Sequence, residues 1–208
     1  DLESCEMRGL YEVDTGNCFY APQALVDDKN RRIMVGWMEM WDKKHFTDTS
    51  EDKWTGAFTL PRQLSLKDIS LQSYPVAEID EAFAPVTGYT DSHKLAKHLE
   101  LSVKATGPFA LALIDSTDQS RRLVIGMDGS GVFIDDSATL CPYGRRYSKN
   151  TYDRADIMAV IDTSSCELFI NHGAENITTR FYLPSREIRL QMTKTFSADQ
   201  LLIKEFRK

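Results

Sequence analysis

The sequence predicts an all-β fold, and three observations carry that prediction. Short apolar or alternating runs recur along the chain, turn residues separate them, and helical periodicity is nearly absent. The first unit is "DTGNCFYAPQALVDDKNRRIMVGWMEMW", Asp14 to Trp41, which reads as an aromatic-rich β-hairpin. Alternation puts Val35, Trp37, Glu39 and Trp41 on one side of its second arm, with Met34, Gly36, Met38 and Met40 on the other. Core packing would explain the Met face. A face mixing an acid with two Trp, near Tyr20, resembles instead the wall of a pocket for a polar ligand, because aromatic rings offer flat apolar surfaces with a negative face.

"AFTLPRQLSL" follows as a further strand, and "VAEIDEAF", Val76 to Phe83, as a short helix after Pro75. The adjoining turn-rich "APVTGYTDS" marks a linker. Beyond it "KHLELSVKA", "FALALIDS", "RRLVIGMD", "GVFIDDS", "DIMAVIDTS", "CELFIN", "ITTRFYL", "EIRLQMT" and "QLLIKEF" have the spacing of a β-sandwich. In the first of these Leu99, Leu101 and Val103 share one face, while His98, Glu100, Ser102 and Lys104 share a wet one. "DTSSCELFINHG" reads as a hairpin with Asp162, Ser164 and Ser165 in its turn and with Leu168 and Ile170 facing away from Glu167 and Phe169. Nothing in the sequence sets a His beside that Asp/Ser/Glu trio, so it reads as structural and not as a triad. The expected organisation is 1–74, a linker at 75–84, and a sandwich at 85–208. The first unit is too short to close on itself, since a few hairpins leave apolar faces and strand edges uncovered.

The 208 residues are 42% apolar and 27% charged, as in an ordinary globular chain. No apolar run approaches the roughly 20 residues of a membrane helix, and "DLESCEMRGLYEVD" lacks a signal pattern, so no membrane partner is expected. A net charge of -6 without a Lys/Arg stripe argues against nucleic acid. Cys5, Cys18, Cys141 and Cys166 are scattered, with no C-x-x-C and no His at ligand spacing. That pattern predicts no metal and no cofactor, and lone thiols fit a reducing, cytoplasmic setting. "NIT" at Asn176 is a formal glycosylation acceptor. His45, His93, His98 and His172 are isolated and read as surface or loop side chains.

Four segments, in order and spacing, carry a resemblance: "YEVDTGNCFYAPQALVDDKNRRIMVGWMEMW", "KWTGAFTLPRQLSL", "YPVAEI" and "VIDTSSCELFINHGAENITTRFYLP". They resemble the later part of glycoside hydrolase family 32, the invertases and sucrose-6-phosphate hydrolases. There a "D-x-G" strand precedes a "GW" strand and a "W-x-G-x-x-x-L-P-R-x-L" strand, and a "D-x-S-S-x-E-x-F-x-N-x-G" hairpin lies in the C-terminal sandwich. The resemblance implies a partial five-bladed β-propeller, its last blade or so, followed by that sandwich. It also implies a parent enzyme that hydrolyses β-fructofuranosides such as sucrose or sucrose-6-phosphate.

The family's nucleophile string "N-D-P-N-G", its "R-D-P" and its "E-C-P" do not occur in this sequence. Glu3 and Glu6 lie in "ESCEM" without a following Cys-Pro, so no catalytic residue is assigned. Retaining glycosidases need two carboxyl groups about 5–5.5 Å apart, which one blade cannot supply, so hydrolysis by this chain alone is expected to be negligible. By resemblance Asp14 corresponds to the acid of the "D-x-G" strand that helps hold the sugar, and Asn17 to a polar contact used by some relatives; "DTGN" is equally a turn sequence. Tyr20, Trp37 and Trp41 are the candidate stacking surfaces. Trp54 and Arg62 are read as structural, with Arg62 paired to a carboxylate in the missing blades. The expected partners are sucrose or a related fructoside in the complete enzyme, the missing N-terminal blades, and a second copy of the chain through uncovered edges. The competing expectations are a lectin-like glycan-binding module and a structural or dimerisation sandwich.

Overall fold

The structure, a computed structural model, describes residues 11–39, 41, 43–49, 51, 53–90, 92–192 and 197–207. Its first region is a four-stranded antiparallel sheet in sequence order, made of β1 (Tyr20–Val26), β2 (Arg32–Trp37), β3 (Arg62–Lys67) and β4 (Ser70–Pro75). The β1–β2 turn is closed by Asp27, whose carboxylate accepts the Lys29 and Arg31 N–H groups at 3.1 and 2.7 Å. Asn30 takes the left-handed conformation that this turn requires, φ 59°. A long loop between β2 and β3 carries the short helix α1 (Phe46–Thr49). A second short helix, α2 (Ala77–Glu81), follows β4. It stops before the expected Phe83, because Phe83 is drawn into the strand β5 (Phe83–Pro85), where it pairs with Phe206.

The rest of the chain forms two six-stranded antiparallel sheets. Their strands are β6 (Leu95–Ala96), β7 (Leu99–Ala105), β8 (Phe109–Asp115), β9 (Arg122–Asp128), β10 (Gly131–Ala138), β11 (Arg145–Tyr147), β12 (Ala155–Asp162), β13 (Ser165–Ile170), β14 (Glu175–Arg180), β15 (Glu187–Met192) and β16 (Ala198–Phe206). One sheet runs β11-β10-β9-β8-β15-β6 and the other β14-β13-β12-β7-β16-β5. Period-two alternation aims Leu111, Leu113, Leu123, Ile125 and Leu190 from the first sheet, and Leu101, Val103, Ile157, Leu168 and Ile203 from the second, into one shared apolar core. Each such side chain contributes about 1.5–3 kcal/mol by leaving water.

The second of these sheets is also covered over part of its other face. Leu168 and Ile170 enter the shared core, while Phe169 and Val160 point the other way, into a small cluster with Phe83 that Leu60, Tyr74 and Ile79 complete. The four-stranded sheet and α2 thus lie over the back of this sheet. That cover overturns the expected wet face on β7 at one position, while His98 and Lys104 stay exposed and Ser102 half-buried as expected. Glu100, one of its supposed wet residues, is buried and bound to the Lys204 ammonium at 2.7 Å. Burial pushes its carboxyl above the ordinary value despite the opposing pull of Lys204.

Candidate functional site

Three of the sequence segments singled out above meet at one buried side chain, Arg62. It comes from the start of β3, and its guanidinium is fully buried. It donates to Asp14 Oδ2 at 2.9 Å, to Glu167 Oε2 at 2.6 Å and to Thr178 Oγ1 at 2.6 Å. The Thr178 hydroxyl in turn donates to Asp14 Oδ2 at 2.6 Å, and Glu167 Oε1 accepts the Leu60 N–H at 2.8 Å. The guanidinium carbon lies 5.0 Å from the centroids of both the Phe19 and the Phe169 rings. Burial pulls the Arg62 pKa down, but the charges of Glu167 and Asp14 outweigh it and leave the group above its ordinary value. The expected partner of Arg62, a carboxylate elsewhere in a larger propeller, is corrected to two carboxylates of this chain. One of them stands on β13, in the hairpin read as merely structural.

Asp14 is shaped for this junction by its neighbours. Residues 14–18 run beside β14, with the Thr15 N–H donating to the Asn176 carbonyl at 2.9 Å and the Cys18 N–H to the Thr178 carbonyl at 3.2 Å. Gly16 permits the approach, since a Cβ there would stand 2.0 Å from the Thr178 carbonyl oxygen. Asp14 Oδ1 accepts the Gly16 and Thr178 N–H groups, both at 2.9 Å. "DTG" is therefore a local turn and a docking strip at once. The Asp14 side chain has no exposed surface, and its oxygens are occupied within the protein. Asn17 is nearly buried, its Oδ1 accepting the Arg146 Nε–H from β11. Asn176, the formal glycosylation acceptor, is 2% exposed and packs against this strip.

The aromatic candidates behave differently. Tyr20, Trp37 and Trp41 come together as the sequence suggests, with ring centroids 6.3 Å (Tyr20–Trp37), 6.4 Å (Tyr20–Trp41) and 5.6 Å (Trp37–Trp41) apart. Trp41 is 67% exposed and Tyr20 43%, whereas Trp37 is half-buried. The rings are tilted or edge-on to each other, so they form an angular apolar ledge open to solvent. Glu39, expected on the same face, is instead buried against the His45 ring. His45, expected at the surface, is 1% exposed, and the Tyr143 hydroxyl lies 3.0 Å from its Nδ1. A loop strand followed by an irregular connection gives no periodic signal for such a residue; only the acid six positions before it hinted at a partner.

His98 Nδ1 does lie 2.8 Å from Asp162 Oδ1, but both side chains are more than half exposed, and Ser164 Oγ accepts from Arg180 instead. No cluster of three or more His, Cys, Asp or Glu among the described residues has the arrangement of a metal site. Cys18, Cys141 and Cys166 are free thiols; Cys5 lies outside the described residues. No helix among the described residues is long and apolar enough to cross a membrane.

Comparison with known proteins adds the following. The family model described as the glycosyl hydrolases family 32 N-terminal domain matches residues 3–75, and the one for the family 32 C terminal matches 65–205. The chain is 30% identical over 198 residues to the sucrose-6-phosphate hydrolase of Escherichia coli, covering 87% of this chain and 40% of that protein. It is 27% identical to the raffinose invertase of Escherichia coli, covering 88% of this chain and 41% of that protein. Among solved structures, sucrose-6-phosphate hydrolase from Lactobacillus gasseri superposes with a TM-score of 0.80 at 24% identity, over 94% of this chain and 42% of that one. A GH32 beta-fructofuranosidase of Bombyx mori gives 0.71 at 20% identity, over 95% and 42%. The chain thus spans about 40% of the length of the curated relatives it matches.

Proposed function

This chain belongs to glycoside hydrolase family 32, and from that premise we propose that it is the C-terminal portion of an enzyme hydrolysing β-fructofuranosides such as sucrose or sucrose-6-phosphate. The four-stranded sheet, which ends at Pro75, one residue past the expected unit of 1–74, is the last part of the catalytic propeller. Residues 75–84 are the connection, and 85–208 form a β-sandwich. The observation that carries this is the succession of the two family models along the chain, overlapping only at 65–75, beside α2.

In this reading the cleaving carboxylates are supplied from outside these residues. A retaining pair must be held about 5–5.5 Å apart on rigid elements that face one another across a pocket. The buried acids near the ledge are otherwise engaged: Asp14 and Glu167 with Arg62, and Glu39 with His45. What remains for the substrate is apolar surface with polar neighbours. Tyr20, Trp37 and Trp41 receive the C–H face of the sugar ring. Asn17 and Asp14 contribute by fixing the strand beneath, and a sugar hydroxyl reaches Asp14 only by replacing one of its present donors. No cofactor takes part. Free thiols at Cys18, Cys141 and Cys166 support a reducing, cytoplasmic setting. β1 is exposed along its whole length at the edge of its sheet, which supports pairing with further blades or with a second copy.

The second reading is a lectin-like module that holds glycans without cleaving them, favoured by the exposure of Trp41 and Tyr20 beside buried acids. Titration calorimetry with sucrose and sucrose-6-phosphate tests the shared part of both readings. Binding is expected to weaken about tenfold in Trp41→Ala, since an aromatic contact is worth about 0.5–1.5 kcal/mol beyond its area. Equal affinity in the variant and the native chain would contradict a sugar-facing ledge.

A further inference from the structure

The connection between β2 and β3 leaves at Met38 and returns at Ala57, where the Met38 N–H donates to the Ala57 carbonyl at 2.7 Å. Trp37 stands at this neck, so near Gly56 that a Cβ there would lie 2.6 Å from the indole nitrogen. Trp41 rides on the loop beyond. It is mostly exposed, and its ring partners Trp37 and Tyr20 only touch its edge, so its place depends on where the loop is fastened.

Among the described residues, the loop meets the C-terminal part of the chain at His45 and at Trp54, besides the ring contacts of His45 and Phe46 with Tyr182. At the first, His45 engages Glu39 through Nε2 and meets the Tyr143 hydroxyl, 3.0 Å away, through Nδ1. In the tautomer that directs the Nε2–H to Glu39, Nδ1 accepts a hydrogen bond from the Tyr143 hydroxyl. Tyr143 is itself held, because its N–H donates to both Asp136 oxygens at 3.0 Å and the Gly144 N–H donates to one of them. Asp136 is fully buried in β10. Lys43 reaches back from the loop to lie 3.9 Å over the Tyr143 ring. At the second point, the Arg180 guanidinium of β14 lies 5.1 Å over the Trp54 ring and donates through Nε to the Ser164 carbonyl at 3.0 Å.

We propose that Tyr143 and His45 are positioning residues for the sugar-facing ledge. Through them the C-terminal sheets set where Trp41 stands, and so tune how tightly and how selectively the ledge holds its sugar. The proposal rests on the reading of Tyr20, Trp37 and Trp41 as that ledge. Neither Tyr143 nor His45 touches the sugar; each acts through the backbone of the loop.

The test uses the full chain labelled with 5-fluorotryptophan, whose three Trp give three fluorine resonances, assigned by single Trp→Phe variants. Tyr143→Phe removes one hydroxyl without changing shape and is expected to shift the Trp41 resonance while the thermal transition stays cooperative. His45→Leu should do the same, and His45→Gln, which keeps an amide donor for Glu39, should recover part of the native position. Tyr147→Phe, on neighbouring β11, should leave the line in place. Sucrose affinity should fall about fivefold in Tyr143→Phe, the effect of one lost hydrogen bond. A Trp41 resonance unmoved in both Tyr143→Phe and His45→Leu would overturn the proposal, as would equal movement of all three resonances. Should the native chain bind no sucrose, the ledge reading fails separately, and the fluorine result alone decides for or against the positioning role.

Discussion

In the two six-stranded sheets, Leu101, Leu111, Leu113, Leu123 and Leu168 have no exposed surface and pack on one another across a single core. In the four-stranded sheet β1 is exposed throughout, Leu25 and Val26 at 58% and 50%, and Leu66 on β3 at 72%. The six-stranded pair is held by its own apolar interior. The four-stranded sheet is held to its neighbour, through Arg62 and its ring of acceptors, through Leu60 and Tyr74 over Phe169, and through the strip at residues 14–18. The difference teaches that a sheet too small to bury its own faces can be made unique by a directional polar anchor, which fixes register and orientation where an apolar contact would slide.

Substitutions at the two kinds of anchor sharpen this contrast. The largest effect is expected for Arg62→Met, which strands Asp14 and Glu167 as buried charges and costs about 3–5 kcal/mol. Hydrogen exchange should show the loss concentrated in β1–β4 and in the 14–18 strip, with amides of β8 and β9 still protected. Leu113→Ala, in the shared core, should cost about 3 kcal/mol and lower protection in both six-stranded sheets together. If Arg62→Met exposed the whole chain uniformly and Leu113→Ala did so too, the two regions would be one cooperative unit and the contrast would fail.

A smaller effect belongs to the surface. Glu78 on α2 receives the Arg31 guanidinium at 2.9 Å and the Lys29 ammonium at 2.6 Å, joining α2 to the β1–β2 turn. Hydrogen bonds from Arg31, then from Lys29, hold its carboxyl down from 4.5 to about 2. A carboxyl depressed in the folded state stabilises fully above its unfolded value and loses that contribution as pH falls through its folded one. The stability gap between the native chain and Glu78→Gln should therefore be present at pH 6, close between about pH 4.5 and 2, and shrink in high salt. Urea titrations at these pH values measure it; a gap unchanged at pH 2 would show that the pair contributes nothing.

Much of the layered region was legible because its strands obey a two-residue period with turn residues between, as in Leu99, Leu101 and Val103 or Leu168 and Ile170. The burial of Glu100 and Glu167 was not legible, since the elements that cover these positions lie far along the chain and leave the alternation of the strand itself unchanged. Tyr20 and Trp37 could be grouped from one hairpin because its register pairs them, while Trp41 joins them from the loop beyond β2. The partners of Asp14 and Arg62 could not, because Glu167 and Thr178 lie more than a hundred positions further along the chain. Still, the motifs that carried the resemblance were these same residues, whose spacing is constrained by a junction invisible in one dimension. His45 went unrecognised for a related reason. Its partners, Glu39 and Tyr143, sit on opposite sides of the junction, and the loop that brings it there has no period.

Release of fructose from sucrose by the purified chain tests most directly whether an anchored ledge without opposed acids is what this segment contributes. No release above the uncatalysed background is expected, even at sucrose concentrations that saturate the ledge by calorimetry. Steady turnover, lost when Asp14 or Glu39 is replaced by the matching amide, would mean that these residues contain a complete cleaving pair and would contradict that assignment.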